Sequence, residues 1–93
     1  MIARVARFTS QPQRFTSGEY RWVLETIREV AGFRAAFHFV DESSGDSISV
    51  SVFETEDAAR SAEQAVGAAR EKLGREASPP DEVRTWRVVD RAP

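Results

Sequence analysis

The chain has no cysteine, no asparagine, one histidine and one lysine among 93 residues. Without cysteine there can be no disulfide, no thiolate metal site and no thiol nucleophile. A single histidine leaves one side chain that titrates near neutrality without perturbation, and no second one to relay its proton. A basic excess is also missing. The formal net charge is −2 and the pI is near 5.4, which argues against a nucleic-acid partner. No stretch approaches the roughly 20 apolar residues of a membrane helix. The start, Met1 to Arg7, holds no apolar run of the signal-peptide kind. The expectation is a soluble, cytoplasmic protein that uses neither nucleic acid nor membrane, and a single domain over residues 1–93.

What is present is rhythm. Residues 2–8 (IARVARF) read as a strand, closed by the turn-rich Thr9-Ser10-Gln11-Pro12. Thr16 with Glu19 three residues on makes a capping box, and Phe15 and Tyr20 sit where a hydrophobic staple closes. Tyr20, Val23, Leu24, Ile27 and Ala31 follow at helical spacing, and Gly32 is a natural stop. Residues 33–40 (FRAAFHFV) and 47–53 (SISVSVF) alternate as two strands around the polar turn Asp41–Asp46, a β-hairpin. Thr55 caps a second helix, with Glu56 and Asp57 at its positive end and a stripe of Ala58, Ala59, Ala62, Ala65, Val66, Ala69 and Leu73. Gly74 ends it, Ser78-Pro79-Pro80-Asp81 is a stiff connector, and residues 82–89 (EVRTWRVV) form the last strand.

The order β-α-β-β-α-β predicts an α+β, ferredoxin-like fold: a four-stranded antiparallel sheet with two helices on one face. Alternation places Phe33, Ala35, Phe37 and Phe39 on one side of their strand. Together with Ile48, Val50 and Val52 these bulky residues suit the helix side, where they would interdigitate with the alanine stripe. The remaining face would then carry Ala36, His38, Val40, Ser49, Ser51 and Phe53. That set is too small and too apolar for water, and lets a second sheet approach at about 10 Å. A homodimer built sheet against sheet is the expectation.

With this pattern assembled, the chain resembles the dimeric α+β barrel superfamily, and within it the antibiotic biosynthesis monooxygenase-like group. The resemblance rests on element order, length and the covered second sheet face over residues 1–90. It implies a cofactor-independent oxygenase that holds a small aromatic or polyketide-like molecule in a cleft between helices and sheet. The alternative is a non-catalytic ligand-binding or accessory dimer of the same fold. The haem-degrading branch of the superfamily uses an Asn, Trp and His set. It is disfavoured here, because the chain has no asparagine and its second helix no histidine.

Few residues carry chemistry of their own. His38 is the candidate catalytic base, weighed against a hydrogen-bonded histidine at the dimer seam. Tyr20, Trp86 and Arg4 are the candidates for the ligand pocket, with Trp86 also suited to core or seam. Trp22 lies opposite the apolar stripe of its helix, so something beyond that helix must cover it: a partner or ligand, or else a loop or the C-terminal tail. Arg4, Arg34, Arg84 and Arg87 on the strands either converge on an anion or lay their heads over the rim. No phosphate loop, metal-ligand cluster or nucleophile motif is present, and no cofactor is expected.

Overall fold

A computed structural model describes residues 1–9, 19–74 and 80–93. The capping box at Thr16, the staple at Phe15 and the Ser78-Pro79 half of the connector lie outside these residues. The described chain forms β1 (Ile2–Phe8), α1 (Glu19–Ile27), β2 (Phe33–Val40), β3 (Ser47–Phe53), α2 (Glu56–Lys72) and β4 (Glu82–Arg87). The four strands make one sheet in the order β2-β3-β1-β4, and every neighbouring pair is antiparallel. This is the ferredoxin-like α+β fold.

Local chemistry explains the boundaries. Thr55 has an extended backbone, and its hydroxyl accepts a hydrogen bond from the amide of Ala58 at 3.1 Å, so α2 starts where a capping residue satisfies a first-turn donor. Glu56 and Asp57 in the first turn, and Arg70 and Lys72 in the last, match the helix dipole. α1 stops at Ile27, short of the apolar residue Ala31, because the chain tightens into turns that end at Gly32. Gly32 has φ +91°, and its carbonyl accepts from the amide of Glu54 at 2.8 Å, which ties the end of the α1 turn to the entry of α2. β4 ends at Arg87, and Val88 continues it only by donating its amide to the carbonyl of Met1 at 2.9 Å.

The core reverses one sequence expectation. Phe53, Ile27, Ala58 and Ala62 are buried together, with Val23, Leu24, Val30, Phe33, Ala36 and Val66 packed against them. Phe53 shares its side of β3 with Ser47, Ser49 and Ser51, all four buried. The serine row therefore lies beneath the helices. The phenylalanine row lies on the open face, where Phe37 is 54% and Phe39 is 55% exposed. These two rings stack with centroids 5.9 Å apart. Ile48, Val50 and Val52 share that open side, as the cross-strand pairs Phe39–Ile48, Phe37–Val50 and Ala35–Val52 require. A register shift between Phe33 and Ala35 breaks the strand's alternation. Phe33 thereby joins the helix side and meets Phe53 edge-on, centroids 6.0 Å apart.

Candidate functional site

Because serine and alanine floor the helix side of the sheet, α1 and α2 do not close fully onto it. A cavity of about 400 Å³ remains between them. Its size falls within the range of small-molecule sites, roughly 300–1,000 Å³. Arg4, Ala6 and Phe8 of β1 and Ser49, Ser51 and Phe53 of β3 form its floor. Tyr20, Val23 and Ile27 of α1 and Ala59, Ala62, Glu63, Val66 and Arg70 of α2 form its walls. The α2 contribution follows helical spacing: residues 59, 62, 63, 66 and 70 lie along one stripe. The sequence had shown the alanine part of this stripe. Glu63 and Arg70, which flank it, were the missed polar members, and the same spacing marks them.

The apolar lining is interrupted by a few polar groups. The Nε of Arg4 donates to Oε1 of Glu63 at 2.5 Å, an ion pair that bridges β1 to α2 across the cavity. The guanidinium of Arg70 lies 5.7 Å from the centre of the Trp22 ring. Trp22 is half-buried, and a side chain of the other helix lies over its ring. Ser49 and Ser51 are 7% and 8% exposed, and both face the cavity. Ser47, at the end of the row, has a buried hydroxyl with no hydrogen-bond partner among the described residues.

The structure brings three of the four candidate residues together. Arg4 and Tyr20 line the cavity. His38 pairs with Ser49 across the sheet and lays its ring against Tyr20, with centroids 4.1 Å apart and planes at 33°. It is half-buried and stands one ring behind the cavity wall. Trp86 is the exception. Its cross-strand partner is Ala3, whose chain neighbour Arg4 points into the cavity, so Trp86 belongs to the opposite, open face and is 51% exposed. Arg84, two residues away, lies over its ring at 5.9 Å. The strand arginines do not converge on one anion. Arg4 pairs with Glu63, Arg34 with Glu54 and Arg84 with Glu82, and Arg4 and Arg84 stand on opposite faces.

Among the described residues two carboxyls are held below the ordinary range, and neither lines this cavity. Asp41 accepts from the hydroxyl and amide of Ser43 in the hairpin turn. Asp81 accepts from the hydroxyl and amide of Thr9 at the foot of β4. Among the described residues no cluster of three or more His, Cys, Asp or Glu could hold a metal. No helix among them is long and apolar enough to cross a membrane.

Solved structures resemble this architecture along its whole length. SnoaB from Streptomyces nogalater, a cofactor-independent oxygenase solved in a mutant form, has a TM-score of 0.74 at 19% identity over 99% of this chain and 96% of its own. The ActVA-Orf6 monooxygenase of Streptomyces coelicolor, in complex with nanaomycin D, has a TM-score of 0.71 at 22% identity over 98% and 89%. An antibiotic biosynthesis monooxygenase has a TM-score of 0.64 at 16% identity over 97% and 100%. This chain shares the ferredoxin-like α+β fold of these structures. At these identities the likeness is one of architecture. No family model matches the sequence, and no curated protein does.

Proposed function

We propose that the protein is a homodimeric, cofactor-independent, monooxygenase-like enzyme that acts on a small aromatic or polyketide-like molecule held between helices and sheet. The observation that carries this reading is the cavity itself: apolar walls, a hydroxyl-bearing floor and a few charged groups, on a fold shared with such oxygenases. When no cofactor supplies electrons, the substrate must. Loss of a proton from an activated ring CH₂ gives an enolate that can reduce dioxygen, and the balance is CH₂ + O₂ → C=O + H₂O. The protein then needs a base, a dry cavity and a fixed ring orientation. His38 is the base in this reading, acting on the cavity from behind Tyr20, while Tyr20 and Arg4 position the ring.

The same reading places the dimer seam on the open face. Phe37, Phe39, Ile48 and Trp86 form a large exposed apolar surface there, of the kind that marks an interface. Trp86 then serves the seam and not the ligand. Oxygen uptake with a hydroxylated anthrone as substrate tests the enzyme. Turnover that disappears in a folded His38→Ala variant supports it. The alternative, a binding-only dimer, is favoured by one feature: His38 reaches the cavity only through Tyr20. Tight binding of the anthrone without oxygen uptake establishes that alternative.

A further inference from the structure

The charges on the cavity wall do not balance. Arg4, Glu63 and Arg70 line it, two cations and one anion. Glu63 is taken by Arg4 at 2.5 Å. Among the described residues Arg70, like Arg21, Arg87 and Arg91, has no carboxylate partner, and of these four only Arg70 lines the cavity. Its one described contact is with the face of Trp22. A cation within about 6 Å of a ring centre is held by attraction to the π face. That attraction occupies none of the five N–H donors with a carboxylate, so the fork is open to an anion in the cavity. A half-buried arginine with its donor edge free beside an apolar cavity is a preformed acceptor for a planar oxyanion.

The floor adds the second half of the argument. Ser49 and Ser51 stand two residues apart on β3, so their side chains repeat at about 6.8 Å along the cavity. Among the described residues neither hydroxyl makes a hydrogen bond, although both side chains are more than nine-tenths buried and face the cavity. Their hydroxyls open onto the cavity, where each can donate to or accept from a guest's oxygen. They match neutral oxygens spaced along the edge of a fused-ring aromatic. We propose that the cavity selects aromatic carboxylates. Arg70 clamps the carboxylate at the α2 wall, Ser49 and Ser51 hold ring oxygens on the sheet floor, and Arg4 neutralises Glu63 so that it does not repel the guest. This rests on the reading of the cavity as a ligand site, and adds the charge of the ligand and the residue that reads it.

Calorimetric titration with anthraquinone-2-carboxylate and its neutral methyl ester tests the proposal. The acid binds at least about tenfold tighter than the ester, as a charge-assisted hydrogen-bond pair requires. Arg70→Gln abolishes that preference, bringing acid and ester to equal affinity, while Arg70→Lys, which keeps the charge but not the fork, restores only part of it. Glu63→Gln, which removes the anion from the wall and frees Arg4, strengthens acid binding. Equal binding of acid and ester by the parent overturns charge selection and leaves the cavity a ligand site. Acid binding undiminished in Arg70→Gln overturns the role of Arg70. Binding of neither compound at millimolar concentration removes the ligand site as well, and with it the proposal.

Discussion

Substitution of Phe37 by Asp should split the proposed dimer while leaving the protomer folded. Phe37 stands on the open face, 54% exposed, stacked on Phe39 and outside the cluster of Ile27, Phe53, Ala58 and Ala62. A phenylalanine buries roughly 150–250 Å² when fully covered, so about 100 Å² of this ring is left for a partner to cover. At about 25 cal/mol per Å² that is about 2.5 kcal/mol per ring. A two-fold interface counts each substitution twice, for about 5 kcal/mol per dimer. Because each 1.4 kcal/mol is tenfold in affinity, the dissociation constant should rise at least about a thousandfold, before the cost of desolvating the new carboxylate. Sedimentation over a dilution series reads this directly: the parent at twice 10.4 kDa, the variant at 10.4 kDa. Circular dichroism should show the folded spectrum in both. Ser51→Arg is the control, because that side chain lies beneath the helices beside Arg4. It should lower the melting temperature or block the cavity without dissociating a folded dimer. A Phe37→Asp protein as dimeric as the parent, or a folded Ser51→Arg monomer, refutes the assignment of faces.

Other outcomes follow from the backbone and the caps. At Gly32 an added Cβ would sit 2.8 Å from Cβ of the buried Ala58, on a backbone with φ +91°. Gly32→Ala should therefore lose about 2–4 kcal/mol in urea denaturation, the sum of left-handed strain and overpacking. Gly67, inside α2 with nothing within 4 Å, gives the opposite sign: Gly67→Ala should gain about 0.5–1 kcal/mol. Equal stabilities for the two variants would contradict both arguments. Asp81 is held below its ordinary value of 3.8 by the hydroxyl and amide of Thr9. Its contribution to stability is therefore complete above that value and is lost as pH falls through the lower value of the folded state. Between pH 5 and pH 3, Asp81→Asn should lose less melting temperature than the parent, and an identical acid limb would place the parent's acid sensitivity elsewhere.

How far these elements could be read from the sequence depends on which physical signal each one uses. The bounds of β1, β2 and β3 and the Thr55 cap follow from alternation and capping chemistry, both local. Which face of the sheet the helices cover is not local. Alternation says that Ser49, Ser51 and Phe53 share a side but not which side, and bulk was a poor guide because the helix side holds a cavity. A better signal lay in the connection: only Glu54 separates Phe53 from the cap of α2, so Phe53 must enter the helix layer and take the serine row with it. The displacement of Phe33 required the register shift in β2, which no residue pattern announces. For the cavity, Arg4 and Tyr20 were legible as residue types, whereas the meeting of His38 with Tyr20 depends on how α1 lies across β2. Arg70 was hidden because a basic residue in the last turn of a helix already has a sufficient explanation in the dipole.

The central claim is that the space between the helices and the serine floor is the ligand site. A crystal structure of the protein soaked with a tricyclic hydroxyquinone tests it most directly. The claim predicts density for the rings between Ser49 and Ser51 below and Ala62 and Val66 above, within reach of Tyr20. Density on the Phe37, Phe39 and Trp86 face, or none in the cavity at saturating ligand, would contradict it.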